Sequence, residues 1–126
     1  MASQIRTLIV DDQSDVRLLL RTVIDRANAG LSVVAEASSG EEALEQVEMW
    51  NPLVVVLDEM MAEMSGLDTA AALRARRPSQ ILVLCSAYLD EDVIARAREI
   101  GIDAWVSKDA LRELPGLIRN LVCRAG

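Results

Sequence analysis

A chain of 126 residues, 52% of them apolar and 26% charged, has the size and composition of one globular domain with a single core and no need of disulfide staples. Twenty acidic against thirteen basic residues give a net charge of -7, which repels phosphate backbones and anionic membrane surfaces and argues against direct nucleic-acid or membrane binding. Histidine is absent, which excludes histidine-based acid–base catalysis, histidine metal ligation and phosphohistidine donation, and the two cysteines, Cys85 and Cys123, form no metal or redox spacing.

The opening "MASQIRTLIVDD" lacks the basic flank and long apolar core of a signal peptide. No apolar run approaches the length of a membrane span, so the expected location is the cytoplasm.

The first apolar run, "IRTLIV" at 5–10, reads as a strand and ends on Asp11 and Asp12. A helix follows, with Val16, Leu19, Leu20, Val23, Ile24 and Ala27 predicted on one buried stripe. "LSVVAEA" at 31–37 is the second strand, and "SSGEEALEQVEMW" a helix burying Ala43, Leu44, Val47 and Trp50. "LVVVL" at 53–57 reads as a strand buried on both faces, running straight into Asp58 and Glu59. An alanine-rich helix is expected over 67–75, a fourth strand "ILVLC" at 81–85, a helix over 93–100 and a short strand "AWV" at 104–106. A last helix is expected over 117–123, with Pro115 in its first turn, where proline is tolerated. No repeat, low-complexity segment or linker interrupts the pattern.

Strand and helix alternating five times predict an α/β domain: one doubly wound parallel sheet with right-handed crossovers and helices on both faces. Such sheets bind ligands outside the carboxyl ends of their strands. The residues that matter are therefore those just after each run: Asp11 and Asp12, Asp58, Ser86, and Ser107 with Lys108.

A lone acid at a strand end would read as a solvated tip. Here, if the first and third strands are neighbours, their tips lie about 4.8 Å apart. Each carboxylate pair then repels by roughly 3 kcal/mol at an effective dielectric near 20. Lys108 offsets one charge, and a divalent cation would bring three carboxylates and one ammonium to neutrality. Oxygen ligands without thiolate or imidazole suit Mg²⁺ or Mn²⁺ rather than zinc. Asp58 is the carboxylate best placed to attack phosphorus, and carboxylates do form aspartyl-phosphate intermediates. Ser86 and Lys108 could donate to the equatorial phosphoryl oxygens, whose neutralisation and positioning dominate this chemistry.

Four stretches in order carry a resemblance over the full length: "LIVDDQSDVR", "VVVLDEMMAEMSGLD", "ILVLCSAY" and "GIDAWVSKD". Together they resemble the receiver domain of the bacterial response-regulator family, and "SKD" resembles receivers that precede helix-turn-helix output domains. The resemblance implies a flavodoxin-like strand order 2-1-3-4-5. It identifies residues 1–126 as one receiver domain of a two-component phosphorelay, with no output domain among them.

The same resemblance implies that Asp58 accepts a phosphoryl group from the histidine of a partner kinase or phosphotransfer protein. It implies Mg²⁺ held by Asp12, Asp58 and the Met60 carbonyl, with Asp11 acting through a coordinated water. Ser86 and the Ala87 amide would receive phosphoryl oxygens, and Lys108 would pair with them. Trp105 matches an aromatic that reports phosphorylation to the surface of the fourth helix, fifth strand and fifth helix, for a downstream protein target or an output domain. Met60 and Tyr88 match positions that tune the removal of the phosphoryl group by water.

Two positions depart from the family pattern. Ala62 stands where proline is usual, which implies a less rigid loop. Asp109 follows the lysine where proline is common. A non-prolyl cis bond there would cost about 2.5 to 4 kcal/mol, so the resemblance leaves the geometry of that peptide open.

Glu59 and Glu63 read as solvated loop charges, "ARARE" and "RARR" as exposed helix faces, and Gly40 as a helix start rather than a phosphate cradle. Two other classes of function remain. One is an Mg²⁺-dependent aspartate-nucleophile phosphatase, which in the haloacid-dehalogenase pattern needs an aspartate where Met60 stands. The other is a metal-binding docking module without phosphotransfer. Homodimerisation through the first, fourth or fifth helix is left open.

Overall fold

The five apolar runs form one parallel sheet in a computed structural model that describes residues 4–125. The strands are Ile5–Val10 (β1), Leu31–Ala37 (β2), Val54–Leu57 (β3), Ile81–Ser86 (β4) and Ala104–Ser107 (β5). Their order is β2-β1-β3-β4-β5, as the resemblance implied. The helices are Ser14–Ala27 (α1), Gly40–Trp50 (α2), Gly66–Arg76 (α3), Glu91–Ile100 (α4) and Leu114–Ala125 (α5).

Alternation along the strands divides the core in two. Leu8, Val10, Val55, Leu57, Leu82 and Leu84 face the layer of α2, α3 and α4, where Ala43, Val47, Leu67, Ala70, Leu73 and Ala97 meet them. Ile9, Val54, Val56, Val83, Cys85 and Val106 face α1 and α5, against Leu20, Ile24, Leu114 and Ile118. Central strands covered on both faces explain why "VVVL" and "ILVLC" carry no polar alternation.

Polar caps start three of the helices at the rim of the sheet. Ser39 Oγ accepts from the Glu42 amide at 3.1 Å, Ser65 Oγ from the Asp68 amide at 3.1 Å, and Asp90 Oδ1 from the Val93 amide at 2.9 Å. Gly40 opens α2 as expected, and its missing Cβ makes room for α3: a methyl there would meet Thr69 Oγ1 at 2.2 Å.

Several expectations need correction. Leu19 is 50% exposed and Ala27 is exposed, because the six-residue stripe drawn on α1 is wider than the arc that meets the sheet; Leu20 and Ile24 carry the burial. Trp50 is 42% exposed, since it ends α2 beyond the strands. Leu53 precedes β3 and is exposed, although its amide still donates to Arg6 O at 2.9 Å. Both β4 and β5 run on to their serines, Ser86 and Ser107. A 3-10 segment, Lys108–Glu113, leads into α5, and Pro115 lies in that helix's first turn. The Lys108–Asp109 peptide is trans. Among the described residues no helix is long and apolar enough to cross a membrane.

Candidate phosphoacceptor site

The register of β1 and β3 sets the two central carboxylates side by side. Val10 pairs with Leu57, so Asp11 and Asp58 are the next residues on adjacent strands. The Asp58 amide donates to Val10 O at 3.1 Å, and the Asp11 amide to Ala37 O at 3.1 Å, extending both ladders by one residue. Asp11 is 1% exposed and Asp58 4%, whereas Asp12 lies open to solvent. One carboxylate oxygen from each of Asp11, Asp12 and Asp58 falls within 4.8 Å of the others.

Lys108, the first residue after β5, reaches across to this cluster. Its Nζ stands 3.0 Å from Asp11 Oδ2 and donates to Asp58 Oδ2 at 3.1 Å. Burial would lower the lysine pKa, but the two carboxylates outweigh it and hold the ammonium above its ordinary value. Burial pushes Asp11 the other way from a normal ion pair: its carboxyl sits above the usual carboxylate range, although the Gln13 amide and Lys108 both pull it down and only Asp58 adds to the rise.

Two buried oxygens are left short of donors. Asp58 Oδ1 receives no hydrogen bond, and Asp11 Oδ2 has the Lys108 charge beside it without hydrogen-bond alignment. Buried carboxylate oxygens in that condition are costly unless a cation or water meets them. With only hard oxygen donors in reach, the residues present fit Mg²⁺ or Mn²⁺.

The other expected groups gather at the same rim. Ser86 continues the Leu82–Leu84 face of β4 and is fully buried; its Oγ accepts from the Tyr88 amide at 3.2 Å, leaving the hydroxyl proton to donate. A cleft of about 280 Å³ opens over Asp58 and Lys108, lined also by Gln13, Val16, Met60, Ala87 and Tyr88. Met60 and Tyr88 are 56% and 62% exposed at its mouth. Trp105 pairs in register with Leu84, on the sheet face that Ser86 shares, and Arg98 of α4 lies over its ring at 5.4 Å.

Three supporting groups were not anticipated. The Gln13 amide donates to Asp11 Oδ1 at 2.9 Å, an Asx-type turn that the Asp-x-x spacing can signal. Arg17 donates to the Asp11 carbonyl at 2.7 Å and to Glu36 Oε1 at 3.1 Å, while Arg21 takes the other Glu36 oxygen at 2.6 Å. Glu59, read from the sequence as a solvated charge, accepts from the Leu67 amide at 2.9 Å.

Five parallel strands in this order, with acids and a lysine converging at their carboxyl ends, define a receiver-type α/β domain. A family model described as response regulator receiver domain matches residues 7–119. The chain is 32% identical over 103 residues to the chemotaxis protein CheY of Thermotoga maritima, covering 82% of this chain and 84% of that one. It is 33% identical over 103 residues to the transcriptional regulatory protein PdtaR of Mycobacterium tuberculosis, covering 82% of this chain and 49% of PdtaR, so it spans about half of that relative's length. Among solved structures, a LuxR-family two-component response regulator from Aurantimonas superimposes with a TM-score of 0.90 at 26% identity, over 96% of this chain and 86% of that one. The chain belongs to the response regulator receiver domain family of two-component signalling.

Proposed function

We propose that Asp58 accepts a phosphoryl group from the phosphohistidine of a sensor kinase or phosphotransfer protein in the cytoplasm, and that the acyl phosphate switches a protein-binding surface. The observation that carries this reading is the buried Asp11–Asp58 pair, bridged by Lys108 yet retaining oxygens without donors. In the transfer, an Asp58 carboxylate oxygen bonds to phosphorus as the phosphorus–nitrogen bond breaks. The electron pair leaves on the imidazole nitrogen, which takes a proton from solvent.

Asp12, Asp58 and the Met60 carbonyl would hold Mg²⁺ or Mn²⁺, with Asp11 acting through a water. When bound, the cation supplies neutralising charge for the cluster and the phosphoryl oxygens. Ser86, the Ala87 amide and Lys108 orient those oxygens. Met60 and Tyr88, exposed at the cleft mouth, set how readily water reaches phosphorus. Trp105, on the face of Ser86, relays the change toward α4, β5 and α5, for a separate downstream protein or a linked output domain.

The domain is a switch that turns over only its own acyl phosphate. Incubation with Mg²⁺ and acetyl phosphate or phosphoramidate, followed by intact mass measurement, should show one labile phosphoryl adduct. Chelation or Asp58→Asn should abolish it; an adduct that persists in Asp58→Asn would move the acceptor elsewhere. Excess phosphate ester should give no steady multiple turnover, which a phosphatase would.

A further inference from the structure

We infer that Glu59 is a positioning residue, fixing the loop after Asp58 in the shape that presents the Met60 carbonyl to the cation. The inference rests on the Mg²⁺ reading given above.

Between β3 and α3 the chain has no regular structure, and Glu63 within it sits at φ +65, a left-handed conformation that costs a non-glycine residue about 1–2 kcal/mol. Such a loop keeps one shape only if its surroundings determine it. Three ties meet at Glu59, and the first of them is made by its side chain. Its Oε1 accepts from the Leu67 amide at 2.9 Å, and its carbonyl accepts from the Gly66 and Met61 amides, both at 3.1 Å.

The anchor is rigid. Leu67 is 2% exposed, in the core, and its amide lies in the first turn of α3, where no intrahelical acceptor exists and the dipole favours a carboxylate. Gly66 lets the strands of the loop close, since a Cβ there would stand 2.0 Å from the Asp58 carbonyl oxygen. Met60 is thus held between Glu59 and Met61, whose backbones are hydrogen-bonded to each other, while Met60 itself is 56% exposed. Glu59 itself does not belong to the oxygen cluster of Asp11, Asp12 and Asp58, and its Oε1 is committed to Leu67.

Calorimetric Mg²⁺ titration of the wild type, Glu59→Gln and Glu59→Ala, with amide hydrogen exchange at Leu67, tests this. Glu59→Ala should weaken Mg²⁺ binding about tenfold, as loss of an outer-shell partner does, and speed exchange at Leu67. Glu59→Gln keeps an oxygen able to accept from Leu67 and should stay within about threefold of wild type. A helix cap with no bearing on the site would leave the Mg²⁺ affinity of the folded protein unchanged. Equal affinity in wild type and Glu59→Ala would therefore overturn the inference and leave the proposed function standing. So would a Glu59→Gln variant as weak as Glu59→Ala, which would assign the effect to charge. No Mg²⁺ uptake by the wild type would overturn the proposed function and this inference with it.

Discussion

The Lys108 ammonium donates to Asp58 from fifty residues downstream, and the same nitrogen stands 3.0 Å from Asp11. One cation thus serves two buried carboxylates on neighbouring strands. Replacing it by an isosteric apolar chain, Lys108→Met, leaves both acids without compensation and should lower metal-free stability by about 2–4 kcal/mol in denaturant titrations. Saturating Mg²⁺ should narrow the gap to wild type, since the carboxylates freed of the lysine charge hold the cation more tightly and a ligand of the native state stabilises in step with its affinity. A variant equally destabilised with and without Mg²⁺ would break the link between the lysine and the metal site.

Asp11 gives a pH signature of defined sign. Its folded pKa lies above 3.8, chiefly through burial, so its contribution to stability is fully present below the unfolded value and is lost as pH rises through the folded one. In metal-free buffer Asp11→Asn should therefore be more stable than wild type at neutral pH, by roughly 1 kcal/mol, the relief of a buried charge, helped by less repulsion from Asp58, being partly offset by the lost Lys108 pairing. The advantage should shrink on acidification toward about pH 4. Chemical denaturation of both proteins across that range measures it, and an advantage independent of pH would show that the charge is not its source.

Two glycines should respond in opposite ways to alanine. At Gly66 the new methyl collides with the Asp58 carbonyl, which cannot move without displacing the rest of Asp58. A loss of about 3 kcal/mol, with impaired phosphoryl uptake, is expected. At Gly116, exposed in α5, an added Cβ meets nothing within 4 Å. There the substitution should raise stability by about 0.5–1 kcal/mol through helix propensity alone. Thermal melts of the two variants decide both.

The two cysteines should differ in reactivity. Cys85 is buried in β4, and burial pushes its thiol up to about 12, with Lys108 opposing and the site carboxylates adding to the rise. Cys123 is exposed on α5. A thiol reagent at neutral pH should modify one equivalent in the native protein and two after unfolding; two equivalents without unfolding would place Cys85 within reach of solvent.

Strand positions and the rim residues were legible in the sequence because four of the five apolar runs give way to a carboxylate, a hydroxyl or an amine at or just past their ends. Asp11, Asp58, Ser86 and Lys108 needed only the topology to be brought together. The supports were not legible, because they are side-chain-to-backbone bonds between segments whose approach no periodicity reports. Arg17 on the Asp11 carbonyl and Glu59 on the Leu67 amide are of this kind. Trp50 and Leu19 were misplaced for a related reason: helical spacing gives an arc, while the sheet's extent decides how much of the arc it covers.

The strand order also bears on how the chain acquires its shape during synthesis. β1 lies between β2 and β3, so its two neighbours have both left the ribosome once Leu57 has emerged, and β4 and β5 then add in turn to a growing edge. Each later strand therefore has its pairing partner already synthesised when it emerges, while the layer under β1, β3 and β4 waits for Leu114 and Ile118 of α5. The rim of Asp11, Asp58, Ser86 and Lys108 is complete only once β5 and the lysine after it have been made.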